Sequence, residues 1–176
     1  MRTAYRMSVT IGYLGTVVLA NYLTAHYGFV PVGFGLAATA GTYAAGLAFV
    51  ARDAVQDTLG RAGVLAVLAV GAVLSWWLST PQLAVASAAA FALSELVDMA
   101  VYTPLRRRGY VRAAVASNLI GSLVDTCLFL TLAGFGLTGL SVSGQLVGKA
   151  WMTVATVALV VIARALLRNR VRAEGV

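Results

Sequence analysis

The sequence predicts an all-α integral membrane protein, a six-helix transmembrane bundle forming one domain over 1–176 with both termini on the cytoplasmic side. Three observations carry that expectation. Of the 176 residues, 60% are hydrophobic and only 11% are charged, against roughly 45–50% and about 25% in soluble domains. The chain divides into six apolar stretches, each near the ~20 residues that cross a bilayer as a helix. The arginines gather in alternate connections between those stretches.

The first span runs from about Met7 to Tyr27, behind Arg2 and Arg6. It reads as a mature helix rather than a cleaved leader, because no Ala-x-Ala site precedes the polar Asn21 and His26. After the turn signals Gly28, Pro31 and Gly33, the second span takes Gly33 to Ala51. Arg52 and Arg61 bracket a loop, and the third span covers Ala62 to Leu78. Ser79-Thr80-Pro81 then breaks the chain before the fourth span, Leu83 to Pro104. Arg106, Arg107, Arg108 and Arg112 separate it from the fifth, Ala113 to Phe135. Gly134, Gly136 and Gly139 lead into the sixth, Gly144 to Leu166, and Arg164, Arg168, Arg170 and Arg172 end the chain. The connections near 28–32, 79–82 and 136–143 hold no Arg or Lys. Positive residues stay on the cytoplasmic side, which orients the bundle. Helices are required because an open sheet edge cannot face lipid.

The same placement explains the net charge of +7 without nucleic acid. The Arg106-Arg107-Arg108 run reads as topology and contact with anionic membrane lipids. With one cysteine, Cys127, and one histidine, His26, neither a disulfide framework nor a two-His metal site can form. No metal or cofactor is expected. Gly33-Phe34-Gly35 resembles a dinucleotide-binding turn but is expected to open a membrane span, with no strand predicted before it. Gly144 and Gly148 form a GxxxG that predicts close helix packing, and Gly12, Gly15, Gly41 and Gly46 fit the same use.

Four ionisable residues fall inside spans: Glu95, Asp98, Asp125 and Lys149. Each costs about 2.5–3.5 kcal/mol at a helix centre, so such residues usually face a bundle interior. Phe91, Glu95, Asp98 and Tyr102 share one face of the fourth span by helical spacing, as do Asn118 and Asp125 on the fifth and Gln145 and Lys149 on the sixth. At ~1.5 Å per residue, Glu95 lies below the midplane, Asp125 near it and Lys149 in the outer half. The three faces therefore predict one central cavity. Lys149 is the only lysine among 13 basic residues and the only basic group away from the cytoplasmic side. An anionic partner, Asp125 or Glu95, is the simplest reason for it. Arg52, Asp53, Gln56 and Asp57 read either as a solvated helix end or as a cytoplasmic gate.

These residues form a recognisable pattern. Ser94-Glu95-Leu96-Val97-Asp98 with Tyr102 before a basic loop, Ser117-Asn118 and Asp125-Thr126 on the next helix, and Gly148-Lys149 on the last resemble the queuosine precursor transporter family. That family is also called the VUT, or vitamin-uptake-transporter-like, family. Ala40 to Gly46 and Phe49 to Gly60 look like its other signature, and Asn21 fits a further family position. Two positions depart from it: Thr126 stands for a serine, and Gln56-Asp57 for a more usual glutamate.

The resemblance, which spans essentially the whole chain, implies a multi-pass protein of the bacterial cytoplasmic membrane. It would import 7-cyano-7-deazaguanine and 7-aminomethyl-7-deazaguanine. Glu95, Asp98, Asn118, Asp125, Lys149, Gln145, Asn21, Tyr102 and Phe91 are then the candidate substrate contacts. A carboxylate suits the N1–H and amino edge. Glu95 is favoured there, with Asp98 as a gate or a structural residue. An amide, Asn118 or Gln145, or Lys149 suits the 6-oxo group, and aromatic rings stack. The alternative is the substrate-binding S component of an energy-coupling-factor vitamin transporter. Such a component needs a separate ATPase module, since no Walker A motif occurs here. A membrane enzyme is disfavoured because no serine has a nucleophile context beside a histidine. The convergent charges disfavour a purely structural subunit. Homodimer formation is left open.

Overall fold

A computed structural model describes residues 2–108 and 110–173. Helix α1 is Arg2–Tyr27, and a hairpin follows from β1 (Phe29–Gly33) and β2 (Leu36–Thr39). Then come α2 (Thr42–Leu78), α3 (Pro81–Leu105), a 3₁₀ turn (Arg106–Arg108), α4 (Tyr110–Leu132) and α5 (Gly139–Ala173). Gly60, at φ 71° and ψ −179°, breaks α2 into two limbs. Six long helical limbs are thus present among the described residues.

The helix ends follow local chemistry. Gly28 takes φ 59° and its N–H closes α1 on Thr24 O at 3.1 Å, a left-handed C-terminal cap. Thr80 caps α3, accepting from Leu83 N at 3.3 Å, with Pro81 at the first helical position, where its missing N–H costs nothing. Gly134 (φ 77°) ends α4 in a Schellman pair, Phe135 N to Leu130 O at 2.9 Å and Gly134 N to Thr131 O at 3.2 Å. Thr138 and Ser141 cap α5 reciprocally, each side chain accepting from the other's backbone N–H at 3.1 and 2.9 Å.

Two sequence expectations are corrected. The second span does not start at Gly33. Residues 29–39 form an antiparallel hairpin whose tip, Phe34-Gly35, has φ 54° and 71°, as a two-residue turn with left-handed residues requires. The helix starts at Thr42. The stretch 52–61 is also not a loop, because α2 remains helical through it apart from the break at Gly60. Ala54, Val55 and Leu59 sustain the helix, and Arg52 is buried against a carboxylate described below.

Helix α1 packs along both limbs of α2, α3 lies against α4, and α5 packs on α2, β2 and α4. Tyr13 and Val17 of α1, Val55, Val64 and Leu68 of α2, and Phe91 of α3 make the apolar core. Limbs that follow one another in the chain run in opposite directions, whereas the first limb of α2 packs parallel to α5, with Thr42 against Gly148 and Gly46 against Met152. One end of the bundle gathers the hairpin, the start of α3 and the end of α4. Phe29 meets Phe135 edge-on at 5.3 Å, and Gln82 donates to Leu132 O at 3.3 Å.

Small residues set the tightest contacts. A Cβ at Gly41 would lie 1.9 Å from Ala20 O, and one at Gly144 would lie 2.0 Å from Ala37 O. Gly148 and Gly46 are close contacts too, whereas Gly12 and Gly15 face open space, so their expected packing role is withdrawn. Outward faces are apolar: Ile11, Val73, Trp77, Leu96 and Leu119 are all exposed, as lipid contact requires. Among the described residues, Thr3–Tyr27, Ala54–Leu78 and Pro81–Leu105 are long and apolar enough to cross a membrane, and Leu119–Leu132 is a shorter apolar helix.

Candidate functional site

The cavity lies in the half of the bundle nearer the hairpin. It encloses about 600 Å³ of empty space, its open side included. Every helix contributes to its wall, not only the last three as the spacing implied. From α1 comes Asn21, 1% exposed. Its Nδ2 donates to Ser75 Oγ at 3.1 Å and to Ser87 Oγ at 2.8 Å. Ser87 donates its own hydrogen to Ala84 O at 3.2 Å, so it can only accept from Asn21. Both amide hydrogens are thus engaged, and Oδ1 is the atom Asn21 keeps for a ligand.

Opposite, Lys149 Nζ of α5 meets Asp125 Oδ2 of α4 at 2.6 Å and Thr126 Oγ1 at 2.8 Å. The two charged side chains are 7% and 12% exposed. An ammonium and a carboxylate brought this far from water are tolerable only together. Asp125 lines the cavity and retains Oδ1 as an acceptor. Gln145, one turn before Lys149, accepts from Thr42 at 2.5 Å and donates to Thr39 at 2.9 Å. Phe91 and Phe129 supply flat apolar wall. The chamber therefore offers two fixed acceptors, one amide that both donates and accepts, an ion pair, and aromatic faces. That set suits a small, flat, polar heterocycle.

The remaining sequence candidates stand elsewhere. Glu95 does not line the cavity. It is ion-paired with Arg52, and the two side chains are 12% and 11% exposed. Ala48 and Phe91 line the cavity, and Arg52 and Glu95 follow them by four residues on α2 and α3. The pair therefore sits one helical turn, about 5.4 Å, beneath the chamber. Asp98 faces α4, where a Cβ at Gly121 would stand 3.4 Å from its own. Its Oδ1 is buried without a hydrogen-bond partner, as is Gln56 Oε1. Tyr102 lies farther along α3, outside the chamber, and Asp57 is exposed. The side chains of Asp53 and Asn118 lie outside the described residues.

Sequence reasoning missed Thr39, Thr42, Ser75 and Ser87. Serine and threonine are common in apolar helices, and their spacing here forms no motif.

The profile of a family described as "Putative vitamin uptake transporter" matches residues 75–167. Those residues carry α3, α4 and most of α5, with Phe91, Glu95, Asp98, Asp125, Gln145 and Lys149 among them. Comparison with curated proteins and with solved structures returns no match.

Proposed function

The chain belongs to the vitamin uptake transporter family, a family of membrane transporters rather than enzymes, and on that premise we propose that it imports 7-deazaguanine precursors of queuosine. The observation that carries this reading is that one chamber is lined by two acceptors, Asp125 Oδ1 and Asn21 Oδ1, and by the amide of Gln145. A deazaguanine offers N1–H and an exocyclic amine on one edge and a carbonyl beside them. Asp125 and Asn21 accept from the donor edge, Gln145 addresses the carbonyl, and Phe91 and Phe129 stack on the ring. Asp125 takes the role that the resemblance suggested for Glu95, because Glu95 is held by Arg52 below the chamber.

The alternating helix directions and the arginine placement support six spans with both termini cytoplasmic. The hairpin end is then extracytoplasmic, and the chamber is approached from that side. Arg52 and Glu95 close the path to the cytoplasm. Release requires that pair to part, and the break at Gly60 gives the first limb of α2 a hinge for it. Gln56, Asp57 and Asp98 flank this gate, and Asp53 follows Arg52 in the chain.

The test uses cells that make no queuosine precursor and lack their own importer. Expression of this chain restores queuosine in transfer RNA when 7-cyano- or 7-aminomethyl-7-deazaguanine is supplied. Absence of rescue by protein shown to be in the membrane overturns the substrate assignment. Co-purification with an ATPase module would then favour an S component that takes a vitamin.

A further inference from the structure

A closed ring of hydrogen bonds ties the hairpin to the chamber. Thr42 Oγ1 donates to Gln145 Oε1 at 2.5 Å. Gln145 Nε2 donates to Thr39 Oγ1 at 2.9 Å, and the two threonine hydroxyls stand 3.1 Å apart. Thr42 has one hydroxyl hydrogen and gives it to Gln145. In the remaining contact, therefore, Thr39 donates and Thr42 accepts. Each hydroxyl donates once and accepts once. All three residues line the cavity, and none is more than 2% exposed. They come from three elements: Thr39 ends β2, Thr42 opens α2, and Gln145 lies on α5.

The ring uses one amide hydrogen and one carbonyl lone pair of Gln145. One Nε2–H and one lone pair remain. The two threonines hold the plane of the amide, and in the sense of the ring observed, with Thr42 donating to Oε1 and Nε2 donating to Thr39, they direct that last N–H. The Thr42 methyl also packs where a Cβ at Gly148 would come within 2.8 Å, which fixes its rotamer.

We propose that Thr39 and Thr42 are positioning residues that aim the free Nε2–H of Gln145 at a carbonyl oxygen of the ligand, so that the site selects an oxo over a thioxo heterocycle. The assignment rests on the deazaguanine reading above and adds the hairpin to the recognition surface. A thione keeps N1–H and the amino group, and so satisfies Asp125 and Asn21, but it is a poor acceptor. It leaves the Gln145 donor unpaired in a buried site, which is where hydrogen-bond selectivity is greatest.

The experiment measures binding of 7-cyano-7-deazaguanine and its 6-thioxo counterpart to the purified full chain in nanodiscs. The wild type should prefer the oxo compound about tenfold. In the Thr39→Val, Thr42→Val double variant, which keeps both methyl groups, the preference should fall to about threefold or less. Thr39→Ser, Thr42→Ser should restore it, and Gln145→Met should abolish it. If the valine variant does not fold, the serine and methionine variants carry the comparison. Equal weakening of both compounds, with the ratio unchanged, would show a merely structural ring and overturn the proposal. A wild type that binds neither compound overturns the substrate reading instead, and this assignment with it.

Discussion

Replacing Asp125 by Asn, or Lys149 by Met, removes one half of a buried charge pair. Two unit charges about 3 Å apart attract by about 5.5 kcal/mol at an effective dielectric constant near 20. The observed separation of 2.6 Å belongs to a charge-assisted hydrogen bond. Each side chain is at least 88% buried, so solvent does little to compensate the survivor. Each single substitution should therefore cost about 3–5 kcal/mol. The double substitution removes both charges and leaves two neutral groups of similar volume, at a cost of about 0–2 kcal/mol. The coupling is then about 4 kcal/mol or more. Reversible unfolding in bicelles, measured for the four proteins of the cycle, reads this directly. Losses that add to within about 0.5 kcal/mol, as for residues that do not interact, would refute the pairing and the buried setting together.

Thr126→Val keeps the ion pair but removes the second acceptor of Lys149 at 2.8 Å, and should cost about 1.5–3 kcal/mol in the same assay. Gly41→Ala drives a Cβ into Ala20 O and should destabilise the protein by up to about 3 kcal/mol. Gly12→Ala meets nothing within 4 Å and should be neutral or gain up to about 1 kcal/mol. Thermal unfolding of the two glycine variants separates the cases. Glu95→Gln should slow uptake while leaving ligand affinity within about threefold, whereas Asp125→Asn should weaken binding about tenfold or more; calorimetry beside uptake distinguishes them. Reporter fusions after Val30, Thr80 and Gly136 should read as extracytoplasmic and those after Arg61 and Arg108 as cytoplasmic, and a reversed signal at Arg108 would overturn the orientation.

Hydropathy made the helices legible, and punctuation located several of their ends: Thr80-Pro81 starts α3, and Gly134 ends α4. The hairpin was not legible. Val30, Val32 and Leu36 to Ala38 are as apolar as a span, and strands of five and four residues are too short for periodicity to separate them from helix. The available signal was the Gly33-Phe34-Gly35 run, whose left-handed turn joins two strands rather than opening a helix. The helical run through 52–59 was hidden by its charges, because the chain's one-dimensional order does not reveal that Glu95 neutralises Arg52.

The same limit governs the site. Depth along a helix follows from residue number, so Asp125 and Lys149 could be matched from sequence. Direction around the axis relative to a neighbouring helix does not, so Glu95 and Asp125 could not be told apart as chamber residues. Asn21 came only through a family likeness, because a single amide in an apolar helix has no periodic signature. Its serine partners, Ser75 and Ser87, lie 54 and 66 residues away in the chain.

The most direct measurement is uptake of radiolabelled 7-cyano-7-deazaguanine by proteoliposomes containing the purified chain. Import of queuosine precursors predicts saturable uptake above that of empty vesicles, competed by unlabelled 7-aminomethyl-7-deazaguanine and lost in Asp125→Asn. Uptake no greater than in empty vesicles, from protein shown to be folded and inserted, would contradict it.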